Sequence, residues 1–151
     1  MKEWEVLEKV KSFLVDHINS NVEAIAGLTI DTISADNILI DYPDTDSMKN
    51  NVMFYIVPEN EDFTYLTLNS DLASMYATIY ILVKRDNQQN LIKKAFSYFS
   101  AMYQTIREEP SLGGEVDEAT FETMEFYPAV EANKSIVGIE TKILIKYAKE
   151  F

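Results

Sequence analysis

Ile136-Val137-Gly138-Ile139-Glu140-Thr141-Lys142-Ile143-Leu144-Ile145-Lys146-Tyr147 is the stretch whose reading decides the fold. Val137, Ile139, Thr141, Ile143, Ile145 and Tyr147 share one parity, and Glu140, Lys142 and Lys146 share the other. Successive side chains of a strand point to opposite faces, so this alternation predicts a long strand with one face on a core and the other toward water or a partner. Such a face needs a cover, and the sequence upstream supplies one.

Leu91, Ile92, Ala95, Phe96, Phe99, Met102, Tyr103 and Ile106 recur at helical spacing, and Glu109-Pro110 ends the run. This is the main core helix, with Phe96, Phe99 and Tyr103 placed in the core by spacing. A first helix carries Val6, Leu7, Val10, Phe13, Leu14, His17 and Ile18 on one stripe and Glu5, Glu8, Ser12 and Asp16 opposite; Gly27 marks a stop. His17 is then a core-edge or interface histidine.

Between the helices, Leu28 to Ile33, Asn37 to Tyr42, Asn51 to Val57 and Phe63 to Leu68 read as short strands, with Pro43 and Pro58 breaking the ladders. Asn69-Ser70-Asp71 reads as a turn. Leu72 to Val83 has apolar groups on both parities, which predicts a central strand. After the loop Pro110 to Gly114, Val116 to Tyr127 reads as another strand, with Phe121, Thr123, Glu125 and Tyr127 on one face and Glu122, Met124 and Phe126 on the other. The link from Ala129 to Lys134 is too short for a parallel crossover, so the last two strands should be antiparallel neighbours. The whole reads as an α+β protein, an antiparallel or mixed β-sheet packed by two amphipathic helices, with residues 1–151 as a single domain.

The formal net charge of −12 opposes the counterion release that drives tight binding to DNA or RNA, and disfavours an anionic membrane surface. Between Asp36 and Asp71 eight acids stand against one base. Asp41, Asp44, Asp46, Glu59, Glu61 and Asp62 from that segment are the candidate partner-facing or lumen-facing surface. No cysteine is present, which excludes disulfides, thiolate metal sites and a cysteine nucleophile. The charged start Met1-Lys2-Glu3-Trp4-Glu5 and the absence of a long apolar run give the expectation of an intracellular chain.

Reaction signatures are missing. A single histidine rules out HExxH and multi-histidine metal sites. A calcium loop starting at Asp44 would need Gly at the position of Lys49 and Glu at that of Tyr55. Glycine at only 27, 113, 114 and 138 leaves no phosphate-cradling loop. The expectation is no enzymatic activity, no catalytic residues, no metal and no cofactor.

The strand-then-helix unit from Thr78 to Ile106, followed by the pair Phe121-Glu122-Thr123-Met124-Glu125-Phe126-Tyr127-Pro128 and Gly138 to Tyr147, resembles the tail-terminator and tail-completion (minor tail) proteins of bacteriophages. The resemblance implies a non-enzymatic phage or prophage structural protein. Copies would self-associate into a ring, a hexamer, at the head-tail junction through sheet edges and loops, and meet other tail or connector proteins. It would be cytoplasmic during assembly and then part of the virion tail. The segment from Asp44 to Asp71 is longer than that pattern leads one to expect. The alternative from the residues is a soluble acidic binding module, of immunity or anti-defence type, that occupies a basic site by charge mimicry.

Overall fold

A computed structural model describes residues 1–85, 90–130 and 135–150. The amphipathic stripe near the start forms α1, Glu3–His17, which buries Val6, Leu7, Val10, Phe13 and Leu14. Its last turn passes into a 3₁₀ turn, Ile18–Ser20, that buries Ile18. His17 lies outside the core with its ring 4.6 Å from that of Phe13, at the core edge as the stripe predicts.

Leu28 to Ile33 forms no strand, contrary to its apolar, β-branched composition. The reason lies in who satisfies its backbone. Tyr98 Oη donates to the Asp31 carbonyl (2.9 Å) and accepts from the Asp31 N–H (2.8 Å). The Asn19 side-chain amide does the same for Ile33, donating to its carbonyl and accepting from its N–H at 2.8 Å each. With side chains holding these groups, no neighbouring strand is required. Asn37 to Tyr42 shrinks to the two-residue strand β1, Ile38–Leu39.

The segments read as separate strands on either side of Pro58 are one strand, β2, Val52–Thr67, paired along its length with β3, Ser70–Lys84. Pro58 does not end it. On one side it faces Ala77 of β3; on the other no strand needs its missing N–H, since β1 pairs only at Phe54 and Tyr55. A bulge between Pro58 and Glu61 absorbs one extra residue and reverses which parity faces the helices.

The second helix, α2, spans Leu91–Glu108, and β4 (Glu118–Tyr127) and β5 (Ile136–Glu150) close the chain. The sheet order is β1-β2-β3-β5-β4, with β1 parallel to β2 and every other neighbour antiparallel. Thus β3 is central and β4 and β5 are antiparallel neighbours; residues 131–134 of their connection lie outside the described residues. The fold is α+β, a mixed five-stranded sheet carrying two helices on one face.

That inner face holds the core. Val52, Phe54 and Ile56 of β2, six residues of β3 from Ala73 to Val83, and Val137, Ile139, Ile143, Ile145 and Tyr147 of β5 pack against both helices. Thr141 is fully buried among them and donates its hydroxyl proton to the Thr123 carbonyl at 2.7 Å. Each isoleucine so buried stabilises the fold by about 1.5–3 kcal/mol.

The core stripe of α2 is rotated from the one its hydrophobic residues outline. Leu91, Lys94, Ala95, Tyr98, Ala101, Met102, Thr105 and Ile106 are buried, whereas Phe96 and Phe99 are half-buried and Ile92 and Tyr103 are exposed. The aromatics instead seam the helix to β4: Phe96 stacks on Phe126 at 5.4 Å and Tyr103 on Phe121 at 5.5 Å. Phe121 and Phe126 both reach this side because a bulge between Phe121 and Thr123 shifts parity, so the simple alternation read for 116–127 fails there.

Candidate functional site

Two surfaces are left over once the core is built. The first is the distal half of the β2–β3 hairpin. From Pro58 onward β2 is exposed except at half-buried Glu61, and Phe63, Tyr65, Leu66 and Leu68 show between 49% and 86% of their surface. Among the described residues no strand pairs with the outer edge of β2 beyond Tyr55. β4 forms the opposite edge of the sheet. An extended, partly apolar edge with free N–H and C=O groups is a template for another chain.

The second surface is the outer face of the sheet, where the register lines side chains up in rows. Met53, Leu82, Gly138 and Tyr127 make one row, Tyr55, Tyr80, Glu140 and Glu125 the next, and Val57, Thr78, Lys142 and Thr123 a third. Met53, Tyr55, Leu82 and Ile136 form a small second cluster, with Met48, Tyr80 and Val130 packed against it. Gly138 leaves a gap in its row. A Cβ there would lie 3.0 Å from both Leu82 Cδ2 and Val130 Cγ2, so a larger residue would press on those two side chains, which would have to give by a few tenths of an ångström. Over it opens a pocket of about 330 Å³ lined by Tyr42, Pro43, Tyr80, Leu82, Tyr127 and Glu140, among others.

The electrostatics of this face are negative. Tyr127 Oη lies 2.5 Å from Glu140 Oε2 and 2.8 Å from Glu125 Oε2. Hydrogen bonding to Glu140 and then to Glu125 drives its phenol well above the ordinary tyrosine range. Burial, then the charges of Glu140 and Glu59, raises Tyr80. Burial is also the largest cause of the rise at Tyr55, with the charges of Asp44 and Asp41 adding to it.

The six candidate acids fall into three places. Asp41, Asp44 and Asp46 lie in the loop before β2, where Asp44 caps the 3₁₀ turn Thr45–Ser47 by accepting from Asp46 N–H (3.0 Å) and Ser47 Oγ (2.7 Å). Those bonds hold the Asp44 carboxyl below the usual carboxylate range. Glu59 accepts from the Thr78 hydroxyl and lies 3.9 Å from Lys142 Nζ on the outer face; Asp62 pairs in register with Ser74 nearby. Glu61 points the other way. It accepts from the Tyr147 hydroxyl near Glu3 and Lys149, and burial raises its carboxyl above the ordinary value. Residues that sequence reading missed as site candidates are Tyr42, Tyr80, Glu125, Tyr127 and Glu140. The glycine inside a strand was the available signal.

Among the described residues no group of three or more His, Cys, Asp or Glu is placed to hold a metal ion, and no helix is long and apolar enough to cross a membrane.

This architecture is a phage tail-terminator-like fold. The chain is similar, over its full length, to the sheath/tube terminator of an extracellular contractile injection system in its extended state, with 11% identity and a TM-score of 0.52, and it spans 58% of that chain. It also aligns over 93% of its length with 98% of a chain from the virion of a native gene transfer agent particle, at 10% identity and a TM-score of 0.47. No family model matches the sequence, and no curated protein matches it.

Proposed function

We propose that this protein is a non-enzymatic structural subunit of a phage-tail-like assembly, a tail-terminator or tail-completion protein of phage or prophage origin. Copies associate into a ring, a hexamer, at the end of the tail tube, and the ring meets other tail or connector proteins. The observation that carries the reading is the fold match, over the whole of this chain and 58% of the other, to a sheath/tube terminator. Two sheet edges at opposite ends of the strand order, unpaired among the described residues, support it, because a heterologous contact between unlike edges closes into a ring when its rotation allows. The negative charge suits a lumen through which DNA passes without adhering, with Asp41, Asp44, Asp46, Glu59 and Asp62 as its lining. Glu61 belongs to the same acidic segment but is tied back to Tyr147. Assembly would take place in the cytoplasm before incorporation into the virion.

Solution mass by light scattering, with negative-stain images, tests this. A multi-subunit species with ring-shaped particles is expected. A monomer or dimer at every concentration, with salt-sensitive binding to a basic protein, would replace the ring by an acidic mimic.

A further inference from the structure

We infer that the outer-face pocket over Gly138 receives a positively charged side chain, arginine or lysine, presented by a partner protein other than a second copy of this chain. The walls are of the right kind. Tyr42, Tyr80 and Tyr127 supply aromatic rings, Pro43 and Leu82 supply apolar contact, and Glu140 supplies a carboxylate around one open pocket of about 330 Å³. Aromatic faces attract a desolvating cation through their quadrupoles, and an adjacent carboxylate adds a charge-assisted hydrogen bond.

The surrounding charges favour the same occupant. Glu140 stands directly across the ladder from Glu125, and both carboxylates converge on the Tyr127 hydroxyl. Like charges placed opposite on neighbouring strands repel each other, and an entering cation relieves that repulsion. Glu59, which accepts from the hydroxyl of Thr78 one row away on the same face, adds its charge to the field at Tyr80. Among the described residues of β5 the nearest base is Lys142 in the next row of the same face, with its Nζ 3.9 Å from Glu59. A foreign chain is the better donor because the self-association proposed above runs between the sheet edges and leaves this outer face to other molecules, and because this chain, with 13 basic residues against 25 acidic ones, has few side chains of its own that suit the site.

The test is a titration of the ¹⁵N-labelled protein with acetyl-arginine amide and acetyl-lysine amide, with acetyl-citrulline amide as the neutral shape control. Saturable shifts centred on Gly138, Tyr80 and Tyr127 are expected from either cationic probe, absent with citrulline and lost in about 1 M NaCl, where the Debye length is about 3 Å. Glu140→Gln should weaken the cationic probe about tenfold or more, the loss of one charge-assisted contact, with no fall in melting temperature. Tyr42→Ala, at a rim residue outside the core, gives a second weakened variant should Glu140→Gln disturb the fold. Equal shifts with citrulline, or shifts spread without saturation over Asp44, Asp62 and the other acids, would overturn the assignment. A drop in the mass of the protein alone on Glu140→Gln would overturn the choice of a foreign partner, since the occupant would then be a second copy. Ring formation is read from mass and pocket occupancy from the titration, so each can fail without the other.

Discussion

The two halves of β2 have the same neighbour and opposite fates. Val52 to Val57 are all buried, with no more than 8% of any side chain exposed, while beyond Pro58 the strand is exposed at every position but Glu61. Both halves pair with β3. The difference is cover: β1 pairs with the proximal half at Phe54 and Tyr55, the 3₁₀ turn Ala35–Asn37 holds it through the Asn37 amide on the Val52 carbonyl (3.0 Å), and α1 shares a core with Val52, Phe54 and Ile56, while the distal half runs on as an arm. Backbone pairing alone therefore does not decide what a strand is for. Where both faces are covered the strand makes the fold, and beyond Glu61, where Lys149 over the Phe63 ring is a sparse cover, its exposed apolar groups remain available to another molecule.

Placing a charge on the covered side gives the largest effect. Ile143, fully buried on β5 against the helices, should not tolerate Ile143→Asp: an unpaired carboxylate there costs more than about 4 kcal/mol, and the variant should lack a cooperative melt. A soluble variant with unchanged melting temperature would move Ile143 out of the core. A smaller loss tests the clamp that replaces a strand at 28–33. Tyr98→Phe leaves the Asp31 N–H and carbonyl without their hydroxyl partner, at about 1–3 kcal/mol. Thermal melts should register it at about 2–4 °C per kcal/mol.

The weakest expected effect lies at the root of the arm. Burial raises the Glu61 carboxyl above its ordinary value, so its charge opposes folding at neutral pH, and this cost disappears as pH falls through the raised value. Glu3 nearby is lowered, chiefly by its hydrogen bond from Lys149, and contributes stability that is lost on acidification through the lowered value. Glu61→Gln should therefore raise the melting temperature slightly at pH 7 and leave it nearly unchanged below pH about 4, under the ordinary carboxyl range. Equal shifts at both pH values would show that the carboxyl's charge plays no part.

How much of this was legible depended on whether one residue's environment followed from its own strand or helix. The alternation at 136–147 translated directly into inner and outer faces, because β5 has neighbours on both sides and no bulge against β3. In α2 hydrophobicity misplaced the stripe by part of a turn. Lys94 and Thr105 are buried: Lys94 lies 3.4 Å from Asp31, and Thr105 donates to the Ala101 carbonyl at 2.7 Å, partnerships no periodicity contains. Pro58 looked like a stop because its harmless position at a sheet edge is a tertiary fact. The bulge after Phe121 was equally hidden, and it decides which aromatics seam β4 to α2. The acidic segment was visible as composition, but its division between loop, outer face and Glu61 was not, since that follows from the bulge at Pro58 to Glu61. The pocket over Gly138 assembles from four separate segments and had no local signature beyond the glycine itself.

The most direct test of the split between covered core and free arm is the light-scattering mass of the natural protein beside a Leu66→Asp, Leu68→Asp variant. Both side chains are about half exposed or more, so the variant should melt as the natural protein does. A multi-subunit mass is expected for the natural protein and a much smaller one for the variant. A natural protein that stays monomeric at all concentrations, or a variant that keeps the full assembly mass, would contradict it.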